Sequence, residues 1–113
     1  MSDTSSISSG VAARYATALF DLAKEADKLP AIEADLDTLD VALTNNESLR
    51  DLFNSPVYSR DELMNSVSAL SAKMKLSSIV SNTLGLMAQK RRLQVVPMLI
   101  DAVRTKISDE KGE

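Results

Sequence analysis

The stretch "VAARYATALFDLAKEA", residues 11–26, decides how the chain is read. On a helical wheel at about 100° per residue, its polar residues Arg14, Thr17, Asp21, Lys24 and Glu25 fall in one stripe roughly 100° wide. The rest of the circumference is apolar. Val11, Tyr15, Ala18, Leu19 and Leu22 form one flank; Ala12, Ala13, Ala16, Phe20 and Ala23 form the other. A surface helix needs one apolar face a little over about 100° wide. This helix is therefore either central in its domain or covered by something else.

Working outward, the spacing predicts a first helix from about Ser9 to Ala26, with a serine as N-cap. Residues 1–9, rich in Ser, Asp and Thr, have no basic start and no apolar stretch, and are expected to form a disordered polar leader rather than a signal or transit peptide. Beyond the helix, Pro30 fits the first turn of a second one, where its missing N–H is not needed. There Ile32, Leu36, Leu39 and Leu43 make a single narrow stripe, as in an ordinary outer helix. Asn46 is placed to cap a short third helix carrying Leu49, Leu52 and Phe53, which stops before Pro56. Ser59 with Glu62 has the form of a capping box and opens a fourth helix with Leu63, Val67, Leu70 and Met74 inward.

The fifth helix starts near Ser77 or Ser78. Val80, Leu84, Met87 and Ala88 make its core stripe, while Ile79, Thr83 and Leu86 lie beside it, so this helix too is wider than its own core requires. The last helix uses Leu99, Ile100, Val103 and Ile107, with Pro97 tolerable only in its first turn. Residues 108–113 are expected to be a charged, structureless tail.

Composition agrees with this pattern. The chain has 113 residues, enough for one domain with a real core, and only 3 Gly and 3 Pro. The fold class is all-α, a compact six-helix bundle over residues 10–107 with short loops. With no cysteine and no histidine, disulfide frameworks, thiolate zinc sites, thiol nucleophiles and imidazole bases are excluded. A net charge of −3 argues against nucleic acid as a partner. No apolar run approaches the roughly 18 to 20 residues of a membrane span, so direct membrane insertion is not expected.

Nor is there a constellation for catalysis. The carboxylates of "DLDTLD", residues 35–40, fall on a predicted solvent face without a second catalytic residue type nearby. Calcium-loop, phosphate-loop and zinc-helix motifs are missing, and the reading is of a non-enzyme with no metal and no cofactor. Gly85, inside the fifth helix, either permits close helix packing or is a tolerated weak point. Lys90-Arg91-Arg92 suits the negative end of that helix's dipole, or a contact with an acidic partner.

Several of these segments, in order, resemble one family. "ARYATALFDLAKE" resembles the first helix of the delta subunit of bacterial F-type ATP synthases, the oligomycin-sensitivity-conferring protein of mitochondria. "NNESLRDLFNSP" is similar to that family's Asn-x-x-Leu-x-x-Leu-x-x-x-Pro segment, and "LGLMAQKRRLQVVPMLIDAV" to its fifth helix, the following turn and the start of the sixth. The sequence departs from the pattern at Arg91-Arg92-Leu93, where many members have Gly-Arg-Leu.

The resemblance implies a non-catalytic, N-terminal six-helix domain that sits on the catalytic head and holds the peripheral stalk during proton-driven ATP synthesis. It implies that the amphipathic N-terminal helix of an alpha subunit packs into a groove between helices one and five. Carried onto this sequence, the partner-binding positions are Tyr15 and Ala18 on helix one and Leu86 on helix five. Leu22, Ile79 and Thr83 follow from the same faces by geometry. Members usually have a further C-terminal domain that meets the b-subunit stalk, so this chain is expected to bind the alpha segment and not the stalk. The implied location is the cytoplasmic face of a bacterial inner membrane, peripheral, with the isolated domain a monomer. Two other readings compete: a homodimerising bundle whose surplus faces meet their own copies, and a helix-turn-helix regulatory domain, which would need a basic recognition helix.

Overall fold

The computed structural model describes residues 3–112. Six α-helices occur among them: α1 (Asp3–Glu25), α2 (Leu29–Asn45), α3 (Glu47–Asn54), α4 (Arg60–Met74), α5 (Ser78–Gln89) and α6 (Val96–Glu110), with one 3₁₀ turn at Leu93–Val95 before α6. The architecture is an all-α bundle, and α1 makes its largest contact with α6 while α4 packs chiefly on α5.

The core line of α1 is Ala12, Ala16, Leu19 and Ala23. Three alanines on that line keep the helix thin where its neighbours approach, and helix separation follows the size of the side chains between the axes. Leu36 and Leu39 of α2, Phe53 of α3, Val67 of α4, Leu84 and Met87 of α5, and Leu99 and Val103 of α6 complete one continuous cluster. Pro30 and Pro97 both stand in the first turn of their helices, as their missing N–H groups require.

Local caps fix where the helices begin. Asn46 accepts from the Leu49 N–H, and Ser59 with Glu62 forms a complete capping box at the start of α4. Ser77 caps α5 by accepting from the Val80 N–H, while its own N–H donates to Asp35 of α2 at 2.8 Å. One hydrogen bond thus ties the start of α5 to a helix 42 positions earlier in the chain.

Three expectations are corrected. Helix α1 begins at Asp3, not near Ser9, so Asp3 to Ser9 of the supposed leader continue the helix; Met1 and Ser2 lie outside the described residues. Extending a helix already nucleated fixes one residue for each bond gained, which costs poor helix formers less than starting a helix would. In α4, Leu70 and Met74 are only half-buried, and Ser71 takes the inward position between them. At the other end α6 runs on to Glu110, where Glu110 pairs with Lys24 at 2.9 Å and Lys111 with Glu33 at 3.0 Å; of the expected tail, Glu113 lies outside the described residues.

Candidate functional site

The question raised by the first helix is answered by burial along α1. Counting 100° per residue, Ala12, Ala16, Leu19 and Ala23 lie within about 60° of each other and are buried. Leu19 belongs to this core line and not to the surplus flank. Val11 is buried and Tyr15 half-buried, but Ala18 is exposed and Leu22 is 55% exposed. A second apolar stripe therefore runs beside the core line; the bundle covers it at Val11, half covers Tyr15 and leaves Ala18 and Leu22 open.

Helix α5 repeats the arrangement. Val80, Leu84, Met87 and Ala88 are buried, Ile79 and Thr83 half-buried, and Leu86 is 44% exposed. The Thr83 hydroxyl donates to the Ile79 carbonyl at 2.9 Å, so its hydrogen is engaged within the helix. Ser81, Asn82 and Gly85 line a cleft against α4, which places α4 on one flank of α5. Ile79, Thr83 and Leu86 lie on the opposite flank. Because α5 also packs on α1, the two surplus stripes belong to neighbouring helices.

The six positions expected from the sequence thus differ in what they present. Ala18, Leu22 and Leu86 offer exposed apolar surface, whereas Tyr15, Ile79 and Thr83 sit at the border between core and solvent. Border residues set the floor of a docking surface, and exposed ones supply the area a partner removes from water. The polar rim of α1 beside Ala18 carries Arg14, Asp21 and Glu25, all exposed.

The basic triplet divides by what each residue touches. Lys90 is the C-cap of α5, and Arg91 follows it in the left-handed conformation at φ 57°. The Arg91 guanidinium donates to the Tyr58 carbonyl at 2.8 Å and the Pro56 carbonyl at 3.2 Å, so this residue holds the loop between α3 and α4. Arg92 is half-buried, and its N–H donates to the Met87 carbonyl at 2.7 Å. Only Lys90 continues the outward face of α5, since it stands four positions after Leu86 and seven after Thr83.

One exposed apolar side chain of α1 lies outside the sequence reading. Ile7 is 66% exposed and lies on α1 four positions before Val11 and eleven before Ala18. Among the described residues no three or more Asp or Glu side chains are grouped as metal ligands, and no helix is long and apolar enough to cross a membrane.

Comparison with known proteins adds a family to this geometry. The family model for the ATP synthase delta (OSCP) subunit matches residues 11–113. The chain is 53% identical over 113 residues to ATP synthase subunit delta of Jannaschia sp. (strain CCS1), and 53% identical over the same length to that of Dinoroseobacter shibae. It is 49% identical to ATP synthase subunit delta of Rhodobacter capsulatus. In each case all of this chain is aligned and it spans 61% of the relative's length.

Proposed function

The chain belongs to the ATP synthase delta (OSCP) subunit family, and on that premise we propose that it is a non-catalytic docking domain of the peripheral stalk. Its ligand is the amphipathic N-terminal helix of an alpha subunit, held between α1 and α5. The observation that carries this reading is the pair of partly covered apolar stripes on those two adjacent helices, with Ala18, Leu22 and Leu86 left exposed. A partner helix laying an i, i+3, i+4, i+7 face against such stripes buries them without any rearrangement of the core beneath.

Each residue has a physical task. Leu22 and Leu86 lose apolar surface to the partner, at about 25 cal/mol for each Å² removed from water. Ala18 acts by being small, since a longer side chain there would hold the incoming backbone away. Tyr15, Ile79 and Thr83 form the floor between them. The contact is mechanical: the stalk resists torque while the rotor turns, which calls for slow dissociation and no bond chemistry. In the complex the domain is peripheral to the membrane, on the cytoplasmic face.

The test is an NMR titration of the labelled domain with a synthetic peptide of about twenty residues from the N-terminus of the cognate alpha subunit. Amide shifts are expected to cluster on Tyr15, Ala18, Leu22, Thr83 and Leu86. Ala18→Asp is expected to abolish binding while leaving the helical circular dichroism intact, because Ala18 is exposed. Ala16→Asp, two positions earlier but fully buried, places a carboxylate in the core and unfolds the domain. Unchanged peptide affinity in a folded Ala18→Asp variant would overturn the assignment of this face.

A further inference from the structure

The cleft between α4 and α5 has a volume of about 500 Å³ and lies on the flank of α5 away from Ile79, Thr83 and Leu86. Small-molecule sites run from about 300 to 1,000 Å³, so its size is that of a site rather than of a packing defect. Met64, Val67 and Leu76 give it apolar walls, and Gly85 adds no side chain on the α5 side. A Cβ built at Gly85 meets no atom within 4 Å, so the space beside it is open.

Ser71 lines this cleft at only 5% exposure, and its Oγ has no hydrogen-bond partner. A hydroxyl inside a helix ordinarily turns back to the carbonyl four positions earlier. Thr38, Thr83 and Thr105 all do so, bonding the carbonyls of Ala34, Ile79 and Asp101. Ser71 does not, although its own carbonyl is engaged by the Leu76 N–H at 3.0 Å. A buried hydroxyl left without a partner is destabilising, and a group held in the cleft would supply the missing bond.

The charge around the cleft says what that group is. Lys75, one turn beyond Ser71, lines it too; it is exposed and pairs with no carboxylate among the described residues. Asn82 adds an exposed amide from α5, and no Asp or Glu is among the lining residues. Asp35, which accepts from the Ser77 N–H, is outside the lining as well. The polar groups here can all donate, and the single charge among them is positive. Side chains one helical turn apart have Cβ atoms about 5 to 6 Å apart, close enough for one carboxylate to meet both. We propose that the cleft binds a short aliphatic carboxylate. One oxygen accepts from Ser71 Oγ and the other from Lys75 Nζ, while the carbon chain lies on Met64, Val67 and Leu76. Bonds to an ionised acceptor are stronger than those to a neutral one, which favours the acid over the matching alcohol. The inference is independent of the docking role, because the two surfaces occupy opposite flanks of α5.

The experiment is an NMR titration of the whole labelled chain with sodium hexanoate and, separately, with 1-hexanol, for wild type, Ser71→Ala, Lys75→Gln and Gly85→Leu, each checked by circular dichroism. Hexanoate is expected to give saturable shifts at Val67, Ser71, Lys75, Leu76, Asn82 and Gly85. Ser71→Ala is expected to weaken it about tenfold, by the loss of one charge-assisted bond. Lys75→Gln is expected to weaken it about threefold and to remove the preference for hexanoate over 1-hexanol. Gly85→Leu fills the open side and is expected to abolish binding in a folded domain. Equal wild-type affinity for acid and alcohol overturns the assignment of a carboxylate. Shifts that do not saturate, or that persist unchanged in folded Ser71→Ala and Gly85→Leu domains, overturn the site and leave the Ser71 hydroxyl to ordered water.

Discussion

Arg91 stands at a turn position that glycine fills most easily, and the backbone shows what an arginine there entails. At φ 57° it sits in the left-handed region, with its N–H donating to Ala88 O and that of Arg92 to Met87 O, the two bonds of a Schellman close. A side chain in that conformation costs about 1 to 2 kcal/mol, which glycine avoids. The guanidinium offsets part of this through its bonds to the Pro56 and Tyr58 carbonyls, both at the surface. Arg91→Ala loses those bonds and keeps the strain, whereas Arg91→Gly loses the bonds and relieves it. Urea unfolding is expected to find the glycine variant more stable than the alanine variant by about 1 kcal/mol. Equal stabilities would mean that residue 91 is not left-handed in solution.

At the scale of the element, α5 contains a weak point. Gly85 is half-buried in mid-helix, and a Cβ built there meets no atom within 4 Å. Close packing does not require this glycine, which settles the choice left open by the sequence in favour of a tolerated weak point. Gly85→Ala is expected to stabilise the domain by about 0.5 to 1 kcal/mol, read as a higher urea midpoint at unchanged slope. A fall in stability would show that α4 approaches α5 more closely than the structure has it. The cases of Gly85 and Arg91 show what was legible. The caps at Asn46, Ser59 and Ser77 depend on two or three neighbouring residues, so the sequence displays them directly. Positive φ at Asp27, Lys75 and Arg91 was hidden because none of these is a glycine. Ser71 took the inward place expected for Leu70 or Met74 because α4 packs chiefly on one neighbour, and the angle of that contact is not written in α4 alone. Likewise the wheel found both surplus flanks but not how far adjoining helices overlap them, which left Tyr15, Ile79 and Thr83 at the border. The start of α1 at Asp3 depends on propagation from a distant nucleus, a property of the whole helix and not of its first residues.

Across the whole molecule, α6 joins distant parts of the chain, and its polar side does so with charge. Arg104 donates to Asp40 at 2.8 Å and to Asp37 at 2.7 Å on α2, Lys111 pairs with Glu33 on the same helix, and Lys24 of α1 pairs with Glu110. These contacts lie opposite α6's buried line of Leu99, Val103 and Ile107 only in part, since Arg104 is half-buried beside it. The hydrogen bonds to Asp40 and then Asp37 hold the Arg104 guanidinium above its ordinary pKa, against the opposing effect of burial. A raised folded-state value means that the stabilisation is complete below the ordinary arginine pKa and is lost only as pH rises through the folded one, far into alkali. Through the neutral range Arg104 therefore contributes a constant amount, and salt rather than pH is the variable that tests it. Exposed pairs of this kind are each worth about 0.2 to 1 kcal/mol, and salt screens them. Arg104→Gln is expected to lower stability by about 1 kcal/mol at low ionic strength, a difference that shrinks by about half or more in 1 M sodium chloride. The peptide affinity of the docking face is expected to be unchanged in the same variant, because the hydrogen bonds of Arg104 run to Asp37 and Asp40 of α2 and to no residue of that face. Loss of peptide binding in a folded Arg104→Gln domain would mean that the α2–α6 charge contacts set the spacing of the docking helices, and the two faces of the bundle would then have to be treated as one coupled unit.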